Sequence, residues 1–398
     1  EYTYDEFGRK IYKNNWFSNK IGAITAVKEN DEYKEGTVLK SKRITYVEDG
    51  LQSGEVSDGQ IKKLGGYENE YTYNDRGQLK EDTNFRIDIV EYIEQKDEQY
   101  KKEYTYDKAN RLETETSIQN NYSHTVIYEY NPDGSIAREY VENRSTFDYF
   151  YENGRLTSYV QSVGNDCVTY DYDNFGNCIG YGPSGKARTV NMEWERGNLL
   201  KSYTDNTSEN SGKTEYYYNN QGIRFKKKIG NTETVYYLDG GKILAEKRGE
   251  EWISYIYDQE GLAGFQLNDG NIYYYLKDGQ GNVISIFGRH QEEARYEYDA
   301  WGRCTITKDI NGIGKLNPIR WKSQYYDEES GMYYIGGRYY NPIIKRYMNP
   351  ANPESAMGGA AQLYGLNLYL LTLANPVEMV HNGYTIESNG ELVYDAPQ

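Results

Sequence analysis

Asp327, Glu328 and Glu329 stand consecutively in YYDEESG, and adjacent carboxylates are the first feature of this sequence that could do chemistry. Two carboxylates flanking a glycosidic bond can divide acid and base work between them. With 61 acidic residues in the chain, however, such neighbours are expected anywhere, so the triplet reads as a solvated turn or a structural anchor. His124, His290 and His381 have no mutual spacing suited to a metal site, and neither metal nor cofactor is expected. GQGNV, residues 279–283, looks like a phosphate loop but lacks the lysine and helix of one, so it reads as a hairpin turn. RFKKK, residues 224–228, is the strongest basic cluster and reads as a solvated strand face. A net charge of -16 leaves no basic face to hold a phosphate backbone, so nucleic acid is not an expected partner. Cys167, Cys178 and Cys304 are odd in number; counting out from the turn at 173–176 places Cys178 opposite about Asp171, too far from Cys167 for a bridge. Free thiols are expected.

The elements that must position all these residues are repeats. EYTYDEFGRKI at 1–11 recurs as EYTYNDRGQLK from Glu70 and EYTYDKANRLE from Glu103, with looser copies to RYEYDAWGRCTI. The consensus is Tyr-x-Tyr-[Asp/Asn]-x-x-Gly-[Arg/Asn]-[Leu/Ile], recurring about every 19 to 24 residues. Residues 1–70 follow it less well, as divergent repeats or an insertion. Tyrosines two apart share one strand face. The Asp or Asn caps the turn ahead of it, and Gly, or Asn110 in the third copy, supplies the left-handed residue. The apolar residue after the turn returns opposite the tyrosines. The residues assigned this role are Tyr2, Tyr4, Asp5 and Gly8; Tyr104, Tyr106 and Asp107; Tyr170, Tyr172, Asp173 and Gly176; and Tyr296, Tyr298, Asp299 and Gly302.

Composition agrees with a thin wall. Tyrosine supplies 46 residues against 9 Phe and 5 Trp, while the hydrophobic fraction is only 37%. An amphipathic ring with a hydroxyl tip suits a β-surface that is dry on one side and wet on the other. At two strands per unit the chain holds up to about 40 strands, far beyond the roughly ten that an open twisted sheet tolerates before it curls. The expected fold is therefore all-β: tandem hairpins coiled into a spiral shell or barrel. The most apolar stretch, 363–380, contains Asn367, Asn375, Pro376 and Glu378 and does not read as a membrane span. The opening residues carry no signal sequence and already look like a repeat, as in a piece of a longer chain.

The segment NPIRWKSQYYDEESGMYYIGGRYYNPIIKRYMNPANPE, residues 317–354, completes the picture. With the repeats, it resembles the Rhs and YD-repeat superfamily, whose core signature runs from Pro-x-Arg through Gln-Tyr-x-Asp-x-Glu-Ser-Gly to Arg-Tyr-Tyr-[Asp/Asn]-Pro. The matching positions are Arg320, Tyr326, Asp327, Gly331, Arg338, Tyr339, Tyr340 and Pro342. The superfamily includes bacterial polymorphic toxins, wall-associated proteins, the C subunit of Tc toxins and the teneurins. The resemblance implies a spiralling shell closed at one end by the signature, enclosing a variable C-terminal effector. It also implies self-cleavage by paired aspartates with a nearby arginine. Here only Arg346 of that set survives: Asn352 and His381 stand where aspartates are expected. An amide can neither ionise to activate an attacking group nor donate as an acid, so cleavage is not the expected activity.

These readings divide the chain into a repeat shell at 1–316, a core or plug at 317–383, and the start of a variable segment or linker at 384–398. The first functional expectation is the structural shell of a secreted or surface bacterial protein that carries or displays its own C-terminal effector, with upstream repeats as further partners. An adhesive surface for glycans or a protein receptor is the second, and a self-cleaving protease the third.

Overall fold

A computed structural model describes residues 2–6, 9–18, 24–34, 37–48, 61–90, 93–207, 212–239, 242–352, 367–371, 374–377, 384–386 and 392–394. The chain is almost entirely β. Its strands form a main sheet of 26 strands, a four-stranded sheet over 325–347 and a two-stranded hairpin of Tyr384–Ile386 with Leu392–Tyr394. In the main sheet every pairing is antiparallel and joins chain neighbours, from Tyr2–Tyr4 with Lys10–Ser18 to Glu292–Tyr298 with Cys304–Asp309. The strand total falls short of 40 because early strands are long, 14 residues at Ile93–Tyr106 against 6 at Cys167–Tyr172, and because the signature folds apart from the wall.

The repeat chemistry is visible hairpin by hairpin. The turn acid accepts backbone amides two and four residues ahead: Asp107 Oδ1 takes Ala109 N at 2.8 Å and Arg111 N at 3.0 Å, and Asp299 Oδ1 takes Trp301 N and Arg303 N at 3.0 and 2.8 Å. Asp173 receives Asn177 N at 2.9 Å. The position before the last turn residue is left-handed, with φ of 66° at Asn110, 90° at Gly176 and 87° at Gly302. The second tyrosine then pairs with the first residue after the turn: Tyr106 with Leu112, Tyr172 with Cys178, Tyr298 with Cys304. A register shift precedes each of these pairs in the first two hairpins, which moves Cys178 from opposite Asp171 to opposite Tyr172. All three cysteines are free. Gly8 lies outside the described residues, and Tyr4 is exposed.

One contact explains why the ring needs a hydroxyl. The second tyrosine of a hairpin donates to the backbone carbonyl just after the previous turn: Tyr106 to Leu79 at 2.7 Å, Tyr130 to Leu112 at 2.6 Å, Tyr151 to Ile136 at 2.8 Å, Tyr218 to Leu200 at 2.9 Å, Tyr298 to Val283 at 2.7 Å. Trp194 fills the position in its own copy, donating Nε1–H to the Cys178 carbonyl at 2.6 Å. Phenylalanine would bury the same area and leave those carbonyls without a donor, which costs about 1 kcal/mol or more per site. The inner face is continuous, with Tyr104, Leu112, Tyr128, Leu156, Tyr170, Cys178 and Leu200 in one buried cluster.

The ribbon winds past its own start. Lys10 Nζ lies 2.8 Å from Glu260 and Lys13 Nζ 2.6 Å from Asp258; Tyr71 Oη accepts Gly279 N at 2.7 Å, and Glu115 accepts Ala300 N at 3.0 Å. These contacts join positions far apart in sequence through side chains. The hydrogen-bonded ladder itself stays open among the described residues.

Candidate functional site

The signature folds as a separate small sheet, Tyr325–Asp327, Met332–Ile335, Arg338–Asn341 and Arg346–Tyr347, lying against the inner face and turn tips of the wall. Its strands are almost wholly buried, and Tyr333, Tyr339, Tyr340 and Tyr347 are among the most enclosed side chains. Gly331 sits at φ 67° in the turn that joins the first two strands.

The electrostatic centre is Asp327, fully buried. Arg224 grips it with two nitrogens, at 2.5 and 3.2 Å, and Lys227 Nζ approaches at 3.0 Å. Lys227 also holds Glu329 at 2.9 Å, and Glu329 accepts the Tyr216 hydroxyl at 3.0 Å. Burial pushes the Asp327 carboxyl upward, but the Arg224 and Lys227 charges outweigh it and hold the group below the usual carboxylate range. Arg224 in turn lies over the Tyr334 ring at 4.2 Å, and the Tyr339 hydroxyl bonds that of Tyr218 at 2.8 Å. This corrects the reading of RFKKK as a solvated strand face: Arg224 and Lys227 are buried and ion-paired to the signature, while Phe225 faces out. The signal was available. Arg224 pairs with Tyr218, the register position that Leu112 and Cys178 occupy in other hairpins, so a charge stands where the repeat puts an apolar residue.

The rest of the signature reads the turns. Tyr333 Oη donates to the Gly302 carbonyl at 2.9 Å, Tyr340 Oη to Trp301 at 3.0 Å, Ser323 Oγ to Gly281 at 2.9 Å, and Tyr369 Oη to Gly176 at 2.8 Å. Arg346 donates to the Gly154 carbonyl, and Asn349 Nδ2 reaches Asn198 at 3.3 Å. A left-handed turn residue aims its neighbouring carbonyls away from the hairpin ladder, so each tip offers an acceptor. At two tips the space is filled as well: a Cβ on Gly302 would lie 2.5 Å from the Trp321 ring, and one on Gly176 2.5 Å from the Tyr369 hydroxyl. The signature is therefore a separate sheet keyed to the tips of the hairpins.

Arg320 pairs with Glu328 at 2.7 Å and lies over the Tyr326 ring at 4.4 Å. Arg338 lies 3.3 Å over Tyr347 and donates to the Leu368 carbonyl at 3.1 Å; Pro342 is buried beside it in sequence. Of the three cleavage positions, Arg346 is buried between Tyr151 and Tyr369, each ring centre 4.9 Å away, and makes no ion pair among the described residues. Asn352 is exposed, and His381 lies outside the described residues. No group of three or more His, Cys, Asp or Glu side chains poised for a metal ion occurs among the described residues, nor a helix long and apolar enough to cross a membrane.

A family model for the teneurin YD-shell matches residues 1–377. The chain belongs to the teneurin YD-shell family. Among curated proteins this YD-shell chain is similar to the tRNA nuclease WapA of Bacillus subtilis strain 168, 26% identical over 290 residues, which cover 61% of the chain and 12% of WapA. It is also similar to double-stranded DNA deaminase toxin A of Burkholderia cenocepacia strain H111, 23% identical over 228 residues, 48% of the chain and 16% of that toxin. The YD-shell chain thus spans about an eighth of the length of the WapA proteins it matches. Among solved structures it is similar to the TcdB2-TccC3-TEV crystal structure, with TM-score 0.38 and 13% identity, covering 94% of this chain and 27% of that one. A TccC3 variant of the Photorhabdus luminescens Tc holotoxin pore gives TM-score 0.36 and 15% identity, covering 94% and 24%.

Proposed function

We propose that this YD-shell is the C-terminal part of a container in a secreted or surface protein, which encloses or displays an effector segment that follows the plug. The supporting observation is the plug itself: a buried sheet keyed to the tips of separate hairpins and fixed by the buried pairs of Arg224 and Lys227 with Asp327. Such an anchor holds the chain that continues beyond it at a defined place on the wall. WapA and the deaminase toxin bear names for attack on tRNA and double-stranded DNA, and each is far longer than the part matched here. That pattern supports a common shell with separate effector segments. Appending a trypsin-sensitive peptide after Gln398 tests the reading. The peptide should be cleaved at least tenfold more slowly than on an unrelated carrier, and Asp327→Asn should abolish the difference. Equal cleavage on both carriers would rule out enclosure by this chain.

An adhesive surface is the second reading. It is supported by an outward aromatic pair, Tyr237 and Trp252, with ring centres 5.0 Å apart and Lys247 Nζ 5.7 Å over the indole. Such a platform suits a sugar face. Binding on a glycan array that is lost in Trp252→Ala would favour it.

A further inference from the structure

Where the ribbon passes over its own start, three stations of charge line the seam, and they are not alike. At the first, Lys10 and Lys13 meet Asp258 and Glu260. At the second, Glu292 is gripped by Arg295 at 2.7 Å, with Lys308 at 3.3 Å and Arg86 at 3.6 Å, and accepts the Tyr67 hydroxyl at 2.5 Å. Burial pushes the Glu292 carboxyl upward, but Arg295 with the Tyr67 and Ser285 hydroxyls holds it below its ordinary range.

The third station is short of positive charge. Asp82, from an early strand, lines a cavity of about 20 Å³ with Lys102 and with Asp278 and Asp299, the acids of two later turns, and Glu115 joins the group by accepting the amide of Ala300, another lining residue. Lys102 is the one cation within it; it donates to the Tyr298 carbonyl and stands 3.7 Å from Glu115 Oε1, an atom with no hydrogen-bond donor. The remaining charged neighbours are Lys345, paired to Glu139 at 2.6 Å and also acting on Asp299 and Glu115, Lys322, which acts on Asp278, and Arg43, which acts on Tyr71. Glu297 adds a further negative charge, and Asn69 donates to Asp82 at 2.9 Å. Tyr71, Tyr100, Tyr104 and Tyr128 close the walls, each with its phenol pushed above the ordinary range by burial, so none ionises in the acid-to-neutral range. Asp278 and Asp299 are held by the amides of their own turns, but Asp82 and Glu115 have fewer donors and share Lys102 as their near cation, and an incompletely paired buried charge costs several kcal/mol.

We propose that this seam, between the strands over 79–119 and the turns at 278–282 and 299–303, is a proton-held latch, closed in acid and loosened as the pH rises to neutrality. Its geometry gives a proton two homes: Asp82, which shares the cavity with Asp278 and accepts from Asn69, and the Glu115 oxygen that accepts no hydrogen bond. Burial and Asp278 push Asp82 up to about 7; burial first, and Asp299 among its neighbours, push Glu115 up to about 7. Asp278 and Asp299 are raised in the same direction by burial. Once the seam opens and water reaches these groups, Asp and Glu titrate near 3.9 and 4.3. Closed-state values above open-state values mean that the closed seam holds more protons. Its advantage is complete below about pH 4 and is lost as the pH climbs through about 7. Each such group changes the opening equilibrium by up to about tenfold per pH unit within that window.

Hydrogen exchange of the 398-residue chain, corrected for intrinsic rates, tests the latch. Protection of the Ala300 amide, which donates to Glu115, and of amides at 79–119 should fall at least tenfold between pH 5 and pH 7.5. Amides beside the matched second station, such as Ser285 and Ala294, should change less than twofold. Asp82→Asn with Glu115→Gln keeps both acceptor oxygens, mimics the protonated state, and should flatten the profile while staying protected at pH 7.5. Lys102→Met removes the one close cation and should move the loss of protection to higher pH. A flat profile in the unaltered chain overturns the proposal, as does an unchanged slope in the Asn/Gln variant.

Discussion

The turns at 74–77 and 299–302 are built from the same parts and carry different duties. In the first, Asn74 Oδ1 accepts Arg76 N and Gln78 N, both at 3.0 Å, and Gly77 sits at φ 76° with its tip in solvent. In the second, Asp299 and Gly302 repeat that geometry, but Trp301 is enclosed and Trp321 packs on the glycine. Local sequence thus sets the shape of both hairpins, whereas packing of the signature distinguishes the second.

The largest effect is expected at the plug's anchor. Asp327→Asn leaves Arg224 buried without its carboxylate and Lys227 with Glu329 alone, and should cost about 3–5 kcal/mol; denaturant melts of the signature tyrosines would show it. The same change at Asp107, whose partner Arg111 lies partly in water, should cost about 1 kcal/mol. Next come the two glycines. Gly302→Ala combines left-handed strain with a clash on the Trp321 ring and should lose about 3 kcal/mol, against about 1 kcal/mol for Gly77→Ala, where a Cβ meets nothing. Equal losses would mean that the plug does not bear on the tip. Smaller still is Tyr369→Phe, which leaves the Gly176 carbonyl without its donor for about 1 kcal/mol.

Acidity separates the plug from the seam. The Asp327 carboxyl is held low in the folded chain, so its contribution is present above the unfolded value near 3.9 and is lost as the pH falls through the folded value. Plug contacts should thus weaken in strong acid, where the third seam station is at its tightest. Tyrosine and tryptophan emission near the plug, followed below pH 4, should move before amide protection at Ala300 does.

Much of this was legible in the sequence because the repeat is local. Tyr-x-Tyr-Asp-x-x-Gly specifies strand, cap and left-handed tip within a few residues, and the ladder and the shared tyrosine face follow from it, whereas the bulge beside each turn, which moves Cys178 opposite Tyr172, did not. The partner of the second tyrosine was not legible, since its carbonyl belongs to the preceding hairpin and a carbonyl has no letter. The fate of Arg224 was legible but missed: reading charge by run length made RFKKK solvent-facing, whereas counting register from Tyr218 puts Arg224 in a buried slot. The seam lay furthest from view, because Asp82 and Asp278 meet only through the winding of the whole ribbon. The cleavage residues stay apart in kind: Arg346 serves the Gly154 tip, and Asn352 is exposed.

Native-state hydrogen exchange of the unaltered chain beside Asp327→Asn tests most directly whether the signature docks as a unit separate from the wall. The variant should lose protection together across the strands of 325–347, while the ladder amides of 112–172 keep theirs. Loss spread evenly over both regions, or none in either, would contradict it.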